Sequence, residues 1–208
     1  MTTSASVLPS PARPVLADLV SPGVAPGMRR RARDLGLVLA GSLLVALCAR
    51  VEILLPFLSP VPITGQTFGV LLVAAALGRV RGTAALLAYL AEGAAGLPVF
   101  AGGAAGVHHL FGWTGGYLFA FVPAAWIVGA LAERGWDRSA LRTVLAMSLG
   151  TAVILLVGAA WLLLWFEPKI ALLQGIVPFL PGAAVKIALA ALALPIAWRL
   201  VGRRDRRG

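Results

Sequence analysis

Long apolar runs separated by short polar or basic connections dominate this chain. The first, Leu35–Leu55, is apolar apart from Arg50 and Glu52. As a helix of about 21 residues rising 1.5 Å each, it would be about 30 Å long, the thickness of a bilayer's hydrocarbon core. Further runs lie at Gly115–Leu131, Thr143–Phe166 and Gly182–Trp198. The pattern predicts transmembrane helices at these four positions.

Two shorter apolar runs, Ile63–Gly78 and Gly82–Leu97, have about 16 residues each and could form short helices or a re-entrant hairpin. The link between them carries Arg79 and Arg81, and each arginine at mid-membrane would cost about 2.5–3.5 kcal/mol. We therefore favour two spanning helices. The predicted fold class is an all-α integral membrane protein with six transmembrane helices.

Composition and charge agree with lipid as the solvent of this chain. Of its 208 residues 60% are hydrophobic and only 12% are charged. The net charge of +10 comes from arginines clustered between the apolar runs, which excludes an extended nucleic-acid-binding face. Because every second connection is basic, the positive-inside rule predicts that both termini are cytoplasmic.

The chain ends differ in composition from the apolar region. Residues 1–33 are rich in Pro, Ser, Ala and Gly and end in arginines, which predicts a disordered cytoplasmic tail. A signal peptide is the competing interpretation, since Ala46 and Cys48 have cleavage-like spacing. Residues 202–208 are predicted to form a basic cytoplasmic tail, which leaves 34–201 as the six-helix transmembrane domain.

The predicted outer connections, Pro56–Pro62, Pro98–Thr114 and Glu167–Pro181, are almost free of charge. The glycine-rich stretch Gly96–Gly116 is apolar where a solvated loop would be polar. Non-helical backbone near membrane depth is tolerated where it is buried in protein or lines a cavity. We expect the long outer loop between helices 3 and 4 to fold over a small-molecule pocket, although the glycines could simply form turns.

Enzymatic chemistry is not indicated by any motif. The sequence lacks a GxxxxGK[ST] phosphate loop, an HExxH pair and a GxSxG turn. His108 and His109 would point about 100° apart on a helix, with no Cys or carboxylate close by in sequence to complete a metal site. We therefore predict no enzymatic activity, no metal and no cofactor.

Other polar and small residues suggest interactions. Lys186, about one turn into the last predicted helix, is either functional or snorkels to the interface. Arg50, Glu52 and Glu92 are expected to form structural salt bridges near the outer boundary. Small residues four apart on helix 1 permit close packing of a partner or of another helix of this chain; they are Gly36, Ala40, Ser42 and Ala46.

Four separated segments carry a resemblance that spans about Ala49–Val201. They are PVPITGQTFGVLL (Pro60–Leu72), GLPVFAGG (Gly96–Gly103), TGGYL (Thr114–Leu118) and PFLPGAAVK (Pro178–Lys186). With these motifs in this order, the chain resembles the BioY family of biotin transporters. The family's last motif usually has Asp three residues before the lysine, where this chain has Ala183, and its usual Pro before TGGY is here Trp113.

The resemblance implies a six-helix substrate-binding (S) component of an energy-coupling factor (ECF) transporter in a prokaryotic cell membrane. It implies biotin as the ligand, captured from outside, and three partners: a transmembrane T component and two cytoplasmic ATPases. Alternatives are an S component for another carboxylated vitamin and a non-transporting membrane scaffold. An apolar pocket with one cation would suit biotin's ring, chain and carboxylate.

The candidate substrate-binding residues follow from the motifs and from the polar positions beside them. Lys186 is expected to bind the carboxylate. With Ala183 replacing the usual acceptor, Glu92, His108, His109, Gln66 or Gln174 could take its place. The predicted set is Lys186, Gly102, Gly103, Phe100, Tyr117, Gln66, Glu92 and His109.

Overall fold

The structure is a computed structural model that describes residues 13–20, 27–54 and 57–204. This part of the chain is mostly helical, as the predicted all-α fold class requires, but it also contains two strands of two residues each. The helices are α1 (Leu16–Val20), α2 (Met28–Ala49), α3 (Gln66–Ala94), α4 (Val107–Leu110), α5 (Gly115–Glu133), α6 (Ala140–Leu162), α7 (Pro168–Gly175) and α8 (Leu180–Arg204). Three 3-10 turns, Ala101–Gly103, Trp136–Arg138 and Val177–Phe179, lie in the connections.

Five helical segments in the described part are long and apolar enough to cross a membrane: α2, α3, α5, α6 and the continuous stretch Pro168–Val201. On α2, large side chains repeat every four residues along an exposed stripe: Leu35, Leu39, Leu43 and Leu47. Leucines on one exposed helix face are expected where that face contacts lipid rather than water.

Helix α3 folds back on itself at Gly78. Gly78 has φ +81 and ψ 180, a left-handed φ that favours glycine. Gln66 Nε2 lies 2.6 Å from the Tyr89 hydroxyl, although 23 residues of straight helix would separate them by about 35 Å. The two halves of α3 therefore run antiparallel, as a helical hairpin with its turn at Gly78.

The turn of this hairpin lies beside the starts and ends of other helices. Arg81 pairs with Asp34 at 3.3 Å, near the start of α2. The Arg79 backbone N–H donates to Glu133 Oε1 at 2.8 Å, at the last residue of α5. The hairpin turn is thus level with the ends of α2 and α5 that the arginine pattern assigns to the cytoplasm.

Helix α2 begins earlier and ends earlier than the predicted Leu35–Leu55. After Ala49 the chain becomes extended, and β1 (Glu52–Ile53) pairs antiparallel with β2 (Ile63–Thr64), with Glu52 opposite Thr64. Strands of two residues have no alternating pattern long enough to detect. The last helix is longer than predicted, because α8 extends from Leu180 to Arg204.

The predicted disordered tail is corrected where the structure describes it. Residues Met28–Arg33 belong to α2, and α1 is folded, with Val15 only 2% exposed. Asp18 holds α1 in place through an ion pair to Arg81 at 2.6 Å. Other parts of the two predicted tails, 1–12, 21–26 and 205–208, lie outside the described residues.

The small residues of α2 do not form one interface. Ser42 and Ala46 are buried inside this chain, and Ser42 donates a hydrogen bond to Glu92 Oε1 at 2.8 Å. Gly36 and Ala40 are exposed. Because positions four apart share a face and positions two apart do not, the predicted set falls into an inward pair and an outward pair.

Candidate functional site

A cavity with about 490 Å³ of empty space, partly open, lies beside the β strands and the hairpin. This space includes volume open to solvent, and the part that can hold water-sized molecules is about 40 Å³. Its walls are mostly apolar, and Lys186 is the only lysine, arginine or carboxylate among the described lining residues. The apolar lining is Val61, Pro62, Ala101, Leu118, Phe121, Leu155 and Phe179.

Lys186 projects from α8 toward the start of α3. Its ammonium donates to the Thr64 carbonyl oxygen at 2.5 Å and to the Thr67 hydroxyl oxygen at 2.9 Å. A lysine ammonium has three N–H donors, so one remains for a ligand. The two threonines also fix where that donor lies in the cavity.

Gln66 contributes a buried amide to the same polar wall. Its Oε1 accepts from the Thr64 hydroxyl at 2.8 Å and its Nε2 donates to the Tyr89 hydroxyl at 2.6 Å. The Tyr89 hydroxyl in turn donates to the Val99 carbonyl at 3.1 Å. The chain of hydrogen bonds fixes the Gln66 amide and links it to the loop after α3.

Tyr117 lines the cavity through its ring. Its hydroxyl donates to the Gly175 carbonyl at 2.7 Å, and its ring stacks on Phe179 with centroids 5.7 Å apart. With its hydroxyl engaged, Tyr117 offers an aromatic surface to a ligand.

His109 lines the cavity from the predicted outer loop. Its Nε2 lies 3.2 Å from the Thr114 hydroxyl, and its ring stacks on Phe100 at 5.3 Å. Burial lowers the pKa of His109 below its ordinary value, and the neighbouring His108 acts in the same direction. His109 is therefore neutral at pH 7 and can donate or accept a hydrogen bond.

Phe100 supports this wall from behind instead of lining it. The side chain is fully buried and meets the Tyr89 ring edge-on at 5.5 Å. A Cβ added at Gly93 would lie only 2.0 Å from Phe100 Cζ. Only glycine at position 93 leaves room for this ring.

Three other predicted binding residues are also absent from the cavity lining. Glu92 accepts the hydrogen bond from Ser42 instead. Gly102 faces Glu52 and Gly103 faces Arg50, with 3.2 Å and 3.0 Å between their Cβ positions and those side chains. From the same motif, Ala101 lines the cavity.

Arg50 and Glu52 do not form the expected salt bridge with each other or with Glu92 in the described part of the chain. Arg50 Nη2 donates instead to the Pro98 carbonyl at 2.5 Å. Arg50, at the C-terminal end of α2, therefore holds the loop in position through its hydrogen bond to the Pro98 backbone.

Ten lining residues were missed by the sequence reasoning, among them Thr64, Thr67, Thr114 and Phe179. All four lie within the quoted family motifs, which supplied a signal. Single threonines carry no chemistry that distinguishes a ligand contact from a cap or a turn. Only their proximity to Lys186 and His109 gives them a place in the site.

Ala183 lies one turn before Lys186 and lines a smaller adjoining space, of which only about 10 Å³ can hold a water-sized molecule. Thr67 and Lys186 line both cavities, and Thr151 adds a hydroxyl to the smaller one. At the position where the BioY motif usually has Asp, this chain thus has a methyl group beside empty space.

The site combines apolar and aromatic walls with one ammonium and a few oriented polar groups. This arrangement fits a mostly apolar ligand with one carboxylate and a small hydrogen-bonding edge. The sequence model of the BioY family matches residues 20–203. This chain belongs to the BioY family.

Individual relatives agree with that assignment. The probable biotin transporter BioY of Pyrococcus horikoshii is 36% identical, over 83% of this chain and 98% of the relative. The biotin transporter BioY of Thermotoga maritima is 37% identical, over 65% of this chain and 79% of the relative. Family membership and the apolar helices make the chain a multi-pass protein of the prokaryotic plasma membrane.

The fold also has a counterpart among solved structures. The crystal structure of the S component for biotin from an ECF-type ABC transporter matches with a TM-score of 0.70. The match covers 88% of this chain and 96% of that chain at 24% identity. This chain therefore shares its helical architecture with a solved S component.

Proposed function

We propose that this chain binds biotin from the outer side of the membrane and mediates its uptake as the S component of an ECF-type transporter. The observation that carries the proposal is Lys186, whose ammonium projects into a mostly apolar cavity with one N–H unused. Family membership and the names of the relatives support biotin as the ligand.

The cavity suggests how biotin would be oriented. The carboxylate would accept from the free N–H of Lys186, and the ring system and chain would pack on Tyr117, Phe121 and Phe179. The ureido edge would pair with groups such as the Thr114 hydroxyl and the His109 ring. Each polar part of biotin would then have a partner, which avoids the cost of an unsatisfied buried group.

Binding of radiolabelled biotin to the protein purified in detergent tests this proposal. We expect saturable binding that excess unlabelled biotin abolishes. A matched measurement on Phe121→Trp, which fills the cavity from α5, should show weakened binding. Absence of saturable binding to protein that is monodisperse and thermally stable would contradict the proposal.

We also propose six membrane crossings with both ends in the cytoplasm. The α3 hairpin supports this count, because its turn is level with the start of α2 and the end of α5. Labelling of single cysteines in a Cys48→Ala background tests the topology. Lys169→Cys should react with an impermeant thiol reagent in intact cells and Ser139→Cys only after permeabilisation; the reverse pattern refutes it.

Partners would supply the energy for transport. The chain contains no phosphate-binding loop, so we propose a transmembrane T component and two cytoplasmic ATPases as partners. Gly36 is exposed on α2 with no atom within 4 Å of its Cβ position, so a partner helix can approach there. Gly36→Leu should reduce co-purification of the partners, whereas Ala160→Leu, which is exposed on α6 instead of α2, should not.

A different carboxylated vitamin is the second candidate ligand. Ala183 makes it possible, because this chain lacks the Asp that the BioY motif usually has three residues before the lysine. A thermal-shift panel of vitamins separates the candidates, since the tightest ligand raises the unfolding temperature most. A larger shift with another vitamin than with biotin would select that alternative.

A further inference from the structure

A second apolar space lies away from the candidate site, along the half of the bundle assigned to the cytoplasmic leaflet. It is a laterally open groove with about 760 Å³ of empty space. Helix α2, the first half of α3 and α8 form its walls, through Leu37, Ala40, Leu44, Leu72, Ala193 and Ala197. From Leu37 to Leu44 the groove follows α2 for about 10 Å, which fits within one leaflet of a bilayer with a core of about 30 Å.

A polar recess of about 650 Å³ adjoins the cytoplasmic end of this groove. Leu77 lines both spaces, and α1 borders both, with Leu16 in the groove and Asp18 in the recess. The charged residues of the recess are Arg30, Arg33, Arg81, Asp18, Asp34 and Glu133. A polar space thus continues directly into an apolar one.

The carboxylates of the recess already have partners. Asp18 pairs with Arg81 at 2.6 Å and with Arg33 at 3.6 Å, and Asp34 pairs with Arg81 at 3.3 Å. Glu133 accepts from the Arg79 backbone N–H at 2.8 Å. The negative charges are therefore compensated within the protein.

Arginine N–H donors of the recess, in contrast, remain available for a ligand. Arg30 is exposed and has no ion pair among the described residues. Arg33 uses only Nη2 in its described contacts, with the Ala17 carbonyl and Asp18. Spare guanidinium N–H groups at the mouth of a recess match the oxygens of a phosphate.

We infer that the recess and the groove together bind one glycerophospholipid of the cytoplasmic leaflet, its phosphate at Arg30 and Arg33 and one acyl chain in the groove. The recess and the groove follow the order of the two parts of such a lipid. The polar recess lies where the charged group meets the interface, and the apolar groove lies toward the midplane, where the hydrocarbon chain lies. The apolar groove alone does not indicate a lipid, because it also suits a partner helix. Arginine donors at its interfacial end favour the phosphate.

Native mass spectrometry of delipidated protein tests the inference, with phosphatidylglycerol and the diacylglycerol of the same chains as probes. We expect one retained phosphatidylglycerol and little diacylglycerol. Arg30→Ala should reduce retention about fivefold, the effect of removing one arginine near a lipid phosphate. Arg29→Ala is the matched control, since Arg29 is exposed one position earlier and does not line the recess.

The groove is tested separately. Ala40→Leu narrows it and should also reduce retention, whereas Ala32→Leu, outside the groove, should not. Thermal unfolding of each variant establishes that it is folded. Equal retention of diacylglycerol, or equal effects of the Arg29 and Arg30 substitutions, overturns the proposal. So does an Ala40→Leu protein that keeps its lipid but loses a co-purifying membrane partner, because the groove would then hold a protein helix.

Discussion

Replacing Lys186 by Met tests the electrostatic part of the proposed site. Methionine keeps an unbranched side chain, one atom shorter, but removes the ammonium that donates to Thr64 and Thr67. The remaining N–H would form a charge-assisted hydrogen bond to the ligand carboxylate, worth about 1.5–3 kcal/mol. Its loss should weaken biotin binding about 10- to 150-fold.

A ligand without the negative charge isolates this contribution. Biotinamide keeps the ring, the chain and the ureido edge, so titration calorimetry with both ligands on both proteins forms a double-mutant cycle. Wild type should prefer biotin, and Lys186→Met should bind the two ligands with similar affinity. An unchanged preference in the variant would refute the pairing of Lys186 with the carboxylate.

Two controls complete that experiment: a substitution at a second lysine and the stability of each protein without ligand. Lys169 is exposed on α7 and does not line the cavity, so Lys169→Met should leave both affinities unchanged. Lys186→Met also leaves the Thr64 carbonyl without its donor. A thermal unfolding scan without ligand therefore separates a weakened fold from a weakened binding site.

Two further predictions concern the loop that borders the cavity. Gly93→Ala should destabilise the protein by about 1–3 kcal/mol through its clash with buried Phe100, whereas Gly36→Ala, with open space at its Cβ, should stabilise α2 by about 0.5–1 kcal/mol; thermal unfolding measures both, and equal effects would contradict the packing argument. Burial and, secondarily, His108 lower the folded-state pKa of His109, so the unfolded chain binds more protons and stability should fall as the pH drops from about 7.5 to about 5.5. His109→Gln should reduce this fall in unfolding temperature, and an identical pH profile would exclude His109 as its source.

Much of the helical architecture could be predicted because lipid imposes it. A span must be long and apolar, and arginines are costly at mid-membrane, so Arg79 and Arg81 marked the turn between the halves of α3. The two strands could not be predicted in the same way. Their four residues pair across a connection, and nothing in Glu52–Ile53 alone specifies Ile63–Thr64 as its partner.

The direction in which side chains point was predicted less well. Helical spacing groups Gly36 with Ala40 and Ser42 with Ala46, but not which pair faces lipid. The burial of Ser42 depends on Glu92, 50 residues away in sequence. The folding of α1 could not be predicted from the sequence either, because its ion pair with Arg81 joins a short segment to the hairpin turn, which is distant in sequence.

In the candidate site, too, the chemistry of a residue could be predicted better than the direction of its side chain. Lys186 stood out because an ionisable group in an apolar run needs a partner or a ligand. Loop residues offer no such guide, since consecutive side chains in a loop can point in unrelated directions. Phe100 is therefore buried behind the cavity while its neighbour Ala101 lines it.

The buried Tyr89 hydroxyl has a consequence for how ligand and loop depend on each other. It is bonded at once to the Gln66 amide of the cavity wall and to the Val99 carbonyl of the loop. A ligand that attracts the Gln66 amide takes the Nε2 donor away from the Tyr89 hydroxyl. Any movement of that hydroxyl then changes the hydrogen bond that it donates to the Val99 carbonyl. Ligand occupancy and loop position are thus linked through the Tyr89 hydroxyl oxygen, in addition to the direct contacts that Ala101 and His109 can make with a ligand.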